Sequence, residues 1–380
     1  MTPQDLPQDL IDSIANRNAV FFCGAGLSRG LEGKRGFPGG WELARDMAEK
    51  LLGRPVRGDE SLDLKQIAQE VIWKDKGSRN RLNEYLLKVF DDPKITPLRA
   101  HKALADLECN VITTNYDTLI ERAFSDIVKK RCNTIVREKD LTRMQDVNVV
   151  KIHGCITDVD RIVITEQNYY HWLISDSEIK TLVRLWFLQY PIVFIGFSLS
   201  DPNLRQLYYG LHRRFGEALK AAYAVFKEEP DNYDMRFIRK QGIKIIKQDA
   251  TAFLDDLVGK VVLPEALEKY GPMACARIYR DWLDSHPGQI QRDLTKLTRQ
   301  TDQKVSAILS LLDLPSRYQR LVEEEKLSWS AAFRLITFGR RHPKVLEKDE
   351  TYEWAKTGPT VEEVREWTKR QEEQWSEGRG

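Results

Sequence analysis

The run Asn18-Ala19-Val20-Phe21-Phe22-Cys23-Gly24-Ala25-Gly26-Leu27-Ser28 decides how the chain is read. Asn18–Cys23 is short, continuous in its apolar character, and stops abruptly at two glycines one residue apart. Such a run reads as a strand buried on both faces. The glycines let the chain turn at once, and they let backbone N–H groups approach a ligand with no Cβ in the way. The loop alone also fits a plain strand-to-helix turn, because Arg29 stands where the G-x-G-x-x-G fingerprint has its third glycine.

Working outward, Asn110–Thr113, Val147–Ile152, Ile192–Ile195, Ala221–Phe226 and Ile243–Ile246 repeat the pattern of short Val/Ile/Phe runs bounded by Gly, Asn or Pro. Between several of them lie helical patterns. Trp41, Ala44, Met47, Ala48, Leu51 and Leu52 share one helix face, and so do Ile179, Leu182, Val183, Trp186, Phe187 and Tyr190. Strands alternating with helices predict an α/β fold with a Rossmann-like, mainly parallel sheet covered on both sides. Residues 45–100 carry helical patterns and no strand, which predicts a helical insertion. The strand signal stops at Leu263-Pro264. The expected organisation is therefore an α/β domain over 1–264 and an all-α domain over 265–380, where five of the nine tryptophans lie.

Composition narrows the functional classes. The 380 residues are 42% hydrophobic and 31% charged, with 59 Lys+Arg against 57 Asp+Glu and a formal net charge of +2. A whole-chain electrostatic hold on nucleic acid is not indicated. The five cysteines (Cys23, Cys109, Cys132, Cys155, Cys275) include no CxxC, so neither a disulfide framework nor a cysteine zinc site is expected. Residues 1–18 are polar and acidic and do not read as a targeting signal, and no apolar run is long enough to span a membrane. These features suggest a cytoplasmic protein with no membrane partner.

Three more polar blocks follow predicted strands: Thr113-Thr114-Asn115-Tyr116-Asp117, Lys151-Ile152-His153-Gly154, and Gly196-Phe197-Ser198-Leu199-Ser200-Asp201-Pro202-Asn203. The carboxyl edge of an open α/β sheet is where ligands bind, so four blocks on that edge form a site constellation. In the order GAGLS, TTNYD, KIHG, GFSLSDPN, the sequence resembles the sirtuin-like fold over about residues 10–260, and specifically its bacterial branch of NAD-consuming antiphage defence effectors. The resemblance implies that Gly24, Ala25, Gly26 and Ser28 bind the NAD phosphates and that Phe37 lies on a loop closing over NAD. It implies that Asn115 and Asp117 serve the nicotinamide ribose, that His153 is the catalytic base, and that Gly196 and Ser198 contact the adenosine side.

Cleaving the nicotinamide–ribose bond passes through an oxocarbenium-like species whose leaving group departs neutral. The protein must exclude bulk water, hold one nucleophile and supply a base. An asparagine amide can orient a water or a ribose hydroxyl, and a histidine can take the proton. Plainer roles remain open: His153 as a hydrogen-bonded structural residue, Asn115 as the N-cap of a helix starting at Tyr116, Asp201 as a turn residue before Pro202. Cys23 and Cys155 read as small buried hydrophobes. Sirtuin deacylases carry two cysteine pairs between the third and fourth blocks. Residues 154–195 hold only Cys155, with a helical stretch where the zinc ribbon would be. Water therefore becomes the expected acceptor, and the expected activity is NAD hydrolysis to nicotinamide and ADP-ribose. The alternatives are an NAD-dependent deacylase or ADP-ribosyltransferase, and an NAD-sensing DNA-binding regulator.

In the C-terminal part, residues 285–345 hold eleven Lys/Arg against six acids, a local +5. Residues 289–338 resemble the helix-turn-helix region of ParB-type proteins, with Thr301-Asp302 capping a helix that presents Gln303, Lys304 and Ser306. The turn glycine of that motif is missing near Arg299. The stretch suits either nucleic-acid binding through 285–345 or protein assembly. The family resemblance adds a homo-oligomer and a HerA-type ring ATPase to the expected partners.

Overall fold

The computed structural model describes residues 6–30, 35–58, 60–127, 132–197, 201–228, 233–286, 288–298 and 300–377. The chain divides into two compact units, Met1–Leu257 and Val258–Gly380.

The first unit is built on seven strands: β1 Val20–Cys23, β2 Asn110–Thr113, β3 Asn133–Ile135, β4 Asn148–Lys151, β5 Ile192–Ile195, β6 Ala222–Phe226 and β7 Lys244–Lys247. Their order is β3-β4-β2-β1-β5-β6-β7, and every pairing is parallel. Its helices are α1 Gln8–Ala15, α2 Gly40–Met47, α3 Leu64–Lys74, α4 Asn80–Phe90, α5 Arg99–Asp106, α6 Leu119–Ile127, α7 Glu166–Ile174, α8 Glu178–Gln189, α9 Pro202–Phe215, α10 Tyr233–Lys240 and α11 Ala250–Leu257. Val183, Trp186 and Phe187 of α8 and Leu204 and Leu207 of α9 pack with Phe22, Ile112 and Phe194 on one sheet face. The alternate residues Phe21, Val111, Val149 and Val193 are fully buried too, so both faces are covered. The strand β3 was not foreseen. Its Asn-Thr-Ile run is polar and short, and it sits at the sheet edge, where one neighbour suffices.

No strand falls between β1 and β2 among the described residues. Helices α2 to α5 fill that stretch, and α2 runs on as a π-helical segment over Ala48–Leu52. Phe37, Leu43, Met47, Ile67, Leu82 and Phe90 make this layer's core. The helical stretch expected between the third and fourth blocks is made of α7 and α8. Thr165 caps α7 by accepting from Asn168 N–H at 3.2 Å, and Ser177 caps α8 by accepting from Lys180 N–H at 3.3 Å.

The second unit is all helix: α12 Ala266–Ser285 (broken at Gly271), α13 Gln291–Thr298, α14 Asp302–Ser310, α15 Ser316–Glu323, α16 Trp329–Arg341, α17 Pro343–Glu347, α18 Asp349–Lys356 and α19 Val361–Glu377. Tyr279, Leu294, Val305, Ile308, Tyr318, Leu335 and Val364 share its core. Thr301 caps α14 through Lys304 N–H at 3.3 Å, and Gln303 and Ser306 are exposed. Among the described residues no helix is long and apolar enough to cross a membrane.

Register places the polar blocks. Cys23 pairs with Thr113 and with Ile195, and Thr113 pairs with Lys151. The four strands β4-β2-β1-β5 thus end in one row, and each block begins in that row or just past it. At the β1/β5 end the backbones nearly touch. Gly26 N–H donates to Gly196 O at 2.8 Å, and a Cβ on Gly24 would lie 2.6 Å from the same oxygen. Gly196 has φ +60°, and its own Cβ would lie 2.4 Å from Leu27 N. Gly196→Ala is expected to destabilise the first unit by about 2 kcal/mol or more, from left-handed strain plus a backbone clash. Urea unfolding against wild type measures it.

Candidate active site

Beyond the row, Thr113 Oγ1 ties two strand ends together. It donates to Cys23 O at 2.9 Å and accepts from Asn115 N–H at 3.0 Å. Asn115 does not cap a helix. The helix α6 starts at Leu119, whose N–H donates to Asp117 Oδ1 at 2.9 Å. The amide Nδ2 of Asn115 instead donates to Ser28 Oγ at 3.0 Å, which joins the first block to the second.

Ser28 Oγ also lies 3.2 Å from His101 Nε2. The other ring nitrogen of His101, Nδ1, accepts from Leu98 N–H at 3.1 Å. The ring must then carry its proton on Nε2 and donate it to Ser28. His101 is fully buried, and burial pulls its pKa down from 6.5 to about 4, with Glu121 opposing and Lys151 adding to the fall. His101 belongs to none of the four polar blocks. Its only signal was a histidine on a helix face otherwise made of Ala100, Ala103 and Leu104.

Lys151 is buried beneath the same turn. Its Nζ pairs with Glu121 Oε1 at 2.9 Å and donates to Asp117 O. Burial works against its charge, but Glu121, Cys155 and Asp117 hold its pKa above the ordinary lysine value. This cation fixes the Asn115–Asp117 turn to β4.

His153 stands two residues past Lys151 and is 2% exposed. Its C=O serves the backbone, with Val163 N–H donating to His153 O at 2.9 Å. Burial lowers the ring's pKa, with the nearby Asp201 carboxylate opposing, so the ring is neutral at pH 7. Tyr169 and Trp172 of α7 meet it edge-on, with ring centroids 5.0 Å and 6.5 Å away.

Apart from the Glu121 carboxylate, which the Lys151 cation meets, two buried polar atoms here have no hydrogen-bond partner: Asn115 Oδ1 and His153 Nε2. Each belongs to a residue two positions past the paired Thr113 and Lys151. Buried polar groups are nearly always satisfied, so orphans at a strand edge point to a ligand. An amide oxygen accepts, and so does the bare nitrogen of a neutral imidazole. Their natural partner is a hydroxyl or a water. Burial drives the Cys23 thiol far above its usual range, which removes it as a nucleophile. Among the described residues no group of three or more His, Cys, Asp or Glu could hold a metal ion.

The structure thus gathers Gly24, Ala25, Gly26, Ser28, Asn115, Asp117, His153 and Gly196 at one edge. Phe37 adjoins them: its N–H donates to Ser28 O at 2.8 Å, while its ring is buried against Phe90, with centroids 5.4 Å apart. Ser198 lies outside the described residues.

This arrangement has relatives. Residues 110–246 match the family described as SIR2-like domain. The chain is 29% identical over 248 residues to the NAD(+) hydrolase ThsA of Bacillus cereus (strain MSX-D12), covering 63% of this chain and 50% of that protein. It is 29% identical over 225 residues to the NAD(+) hydrolase ThsA of Enterococcus faecium, covering 57% and 45%. It is 26% identical over 255 residues to defense-associated sirtuin 2 of Bacillus subtilis, covering 65% and 24%. The chain therefore spans half or less of the length of these relatives. A solved Sir2 point mutant with a p53 peptide and NAD overlaps 67% of the chain at 16% identity with a TM-score of 0.40, too loose to carry an argument.

Two predictions follow from the buried groups. Because unfolded His101 binds a proton near pH 6.5 and the folded one only near 4, its contribution to stability is present above about pH 6.5 and is lost as pH falls towards 4. The loss is on the order of a few kcal/mol, and His101→Gln should flatten the pH dependence of the urea midpoint between pH 7 and 5. Lys151→Met should cost roughly 3–5 kcal/mol by stranding Glu121, and the double variant Lys151→Met/Glu121→Leu should recover much of it. Thermal denaturation of the three proteins checks this.

Proposed function

We propose that this chain is an NAD hydrolase acting in defence, splitting NAD into nicotinamide and ADP-ribose. The observation that carries the reading is the pair of buried, unpartnered acceptors, Asn115 Oδ1 and His153 Nε2, at the edge where four sirtuin-like blocks meet. Its relatives include NAD(+) hydrolases and a defense-associated sirtuin.

In this reading Gly24, Ala25, Gly26 and Ser28 hold the phosphates, and Gly196 and Ser198 lie towards the adenosine. Asp117 shapes the nicotinamide-ribose pocket, and Phe37 supports the loop that covers it. Asn115 Oδ1 accepts a hydrogen bond from the attacking water or a ribose hydroxyl. The nicotinamide–ribose C–N bond breaks, its electron pair neutralises the pyridinium, and cationic character develops at the ribose. Water oxygen bonds to that carbon, and its proton passes to His153 Nε2. The aromatic edges of Tyr169 and Trp172 crowd His153, which favours water over a bulky acyl-lysine acceptor. The helical unit is the proposed seat of self-association or of a HerA-type ATPase contact.

His153→Ala and Asn115→Ala should each reduce nicotinamide release from NAD by about 100-fold or more. Chromatographic assay of the purified proteins tests this. Equal release by wild type and both variants would defeat the assignment.

A further inference from the structure

The environment of His153 contains a second, unassigned layer. Tyr169, on α7, reaches His153 Nδ1 with its hydroxyl at 3.4 Å. The same hydroxyl donates to Asp201 Oδ2 at 3.3 Å. A phenol has one proton to give, and a carboxylate can only accept. With the phenol proton on Asp201, the phenol oxygen turns a lone pair to the imidazole. Nδ1 must then carry the ring proton, and Nε2 is left bare. That matches the absence of a hydrogen-bond partner at Nε2.

Asp201 Oδ2 also lies 3.5 Å from His153 Nε2. The two atoms make no hydrogen bond at this distance. Once Nε2 takes a proton, the carboxylate stands where it steadies the imidazolium. Asp201 is itself held by its other oxygen, which accepts from Leu204 N–H at 3.0 Å at the start of α9.

We propose that Tyr169 and Asp201 are positioning residues of this site, fixing His153 as the Nδ1–H tautomer with Nε2 free to accept a proton. The proposal rests on the hydrolase reading for its use but not for its geometry. It gives Asp201 a role beyond the turn before Pro202, and it gives α7, which replaces a zinc ribbon, a part in the chemistry. Other groups near the trio are Tyr116, Asp63 and Lys65. Tyr116 donates to Val163 O at 3.0 Å. Lys65 pairs with Asp63 at 3.4 Å and lies over the Tyr169 ring at 5.5 Å. Their opposite charges leave Asp201 as the main charge acting on His153.

The test uses the full chain with 13C-labelled histidine rings, the His153 signal being assigned with His153→Gln. Wild type should show the Nδ1–H tautomer and titrate below pH 6.5. Tyr169→Phe should lose the tautomer preference and lower kcat about tenfold with KM little changed. In Asp201→Asn, which keeps a helix-capping side chain, the His153 titration should move to lower pH, because an anion that favours the imidazolium is gone. An unchanged tautomer in Tyr169→Phe, or a titration that stays put or rises in Asp201→Asn, would overturn the proposal. Failure of wild type to release nicotinamide would instead sink the hydrolase reading, and the nuclear magnetic resonance result stands apart from it.

Discussion

Backbone meets backbone at the ends of β1 and β5, and the position of every other group at the site depends on that meeting. Gly26 N–H bonds to Gly196 O, and neither Gly24 nor Gly26 has room for a Cβ beside that carbonyl. The glycine spacing that looks like a phosphate cradle thus has an internal reason as well. It lets two crossing loops share the edge of the sheet at the point where strand order reverses, with β2 on one side of β1 and β5 on the other. A side chain there would push the loops apart and take Ser28 away from Asn115.

The site is held by polar groups that nearly exhaust one another. Thr113 Oγ1 serves as donor and acceptor in the same turn, His101 spends both ring nitrogens, and Lys151 answers Glu121 and Asp117 O. Such networks are rigid because each loss leaves a buried group unsatisfied. Against this background the bare Asn115 Oδ1 and His153 Nε2 are informative. Both lie two residues past paired positions of the neighbouring strands β2 and β4, at the edge where the polar blocks gather.

How much of this was legible beforehand depends on range. Strands buried on both faces announce themselves locally, as in Val20–Cys23 and Ile192–Ile195, and the polar blocks follow them directly. Six of the seven strands, their parallel arrangement and the helical C-terminal region were expected on those grounds. What sequence could not show were contacts set by the fold. His101 meets Ser28 across 73 positions, and Tyr169 meets Asp201 across 32. Neither stands in a motif. Asn115 left two roles open, the site and the cap of a helix, and here Asp117 takes the helix-start hydrogen bond while Asn115 turns to Ser28. The edge strand Asn133–Ile135 lacked the apolar run that makes a strand visible.

Charge in the helical unit repays the same scrutiny. The +5 stretch looked like a surface for phosphate, yet five of its eleven cations are held by carboxylates of the same unit. Lys296 pairs with Asp293, Arg317 with Asp349, Lys326 with Glu324, Arg340 with Asp313 and Arg341 with Glu372. Exposed pairs of this kind add little stability one by one. Arg317 differs, because its guanidinium also bonds the carbonyls of Leu346, Glu347 and Lys348, joining α15 to the end of α17. Phosphate binding draws its strength from cations whose only partners are mobile counterions. A cation already committed to a neighbouring carboxylate releases fewer of them. The arrangement therefore turns several of these basic residues inward on the unit itself: Arg317 joins α15 to the α17–α18 corner, and Arg341 joins α16 to α19.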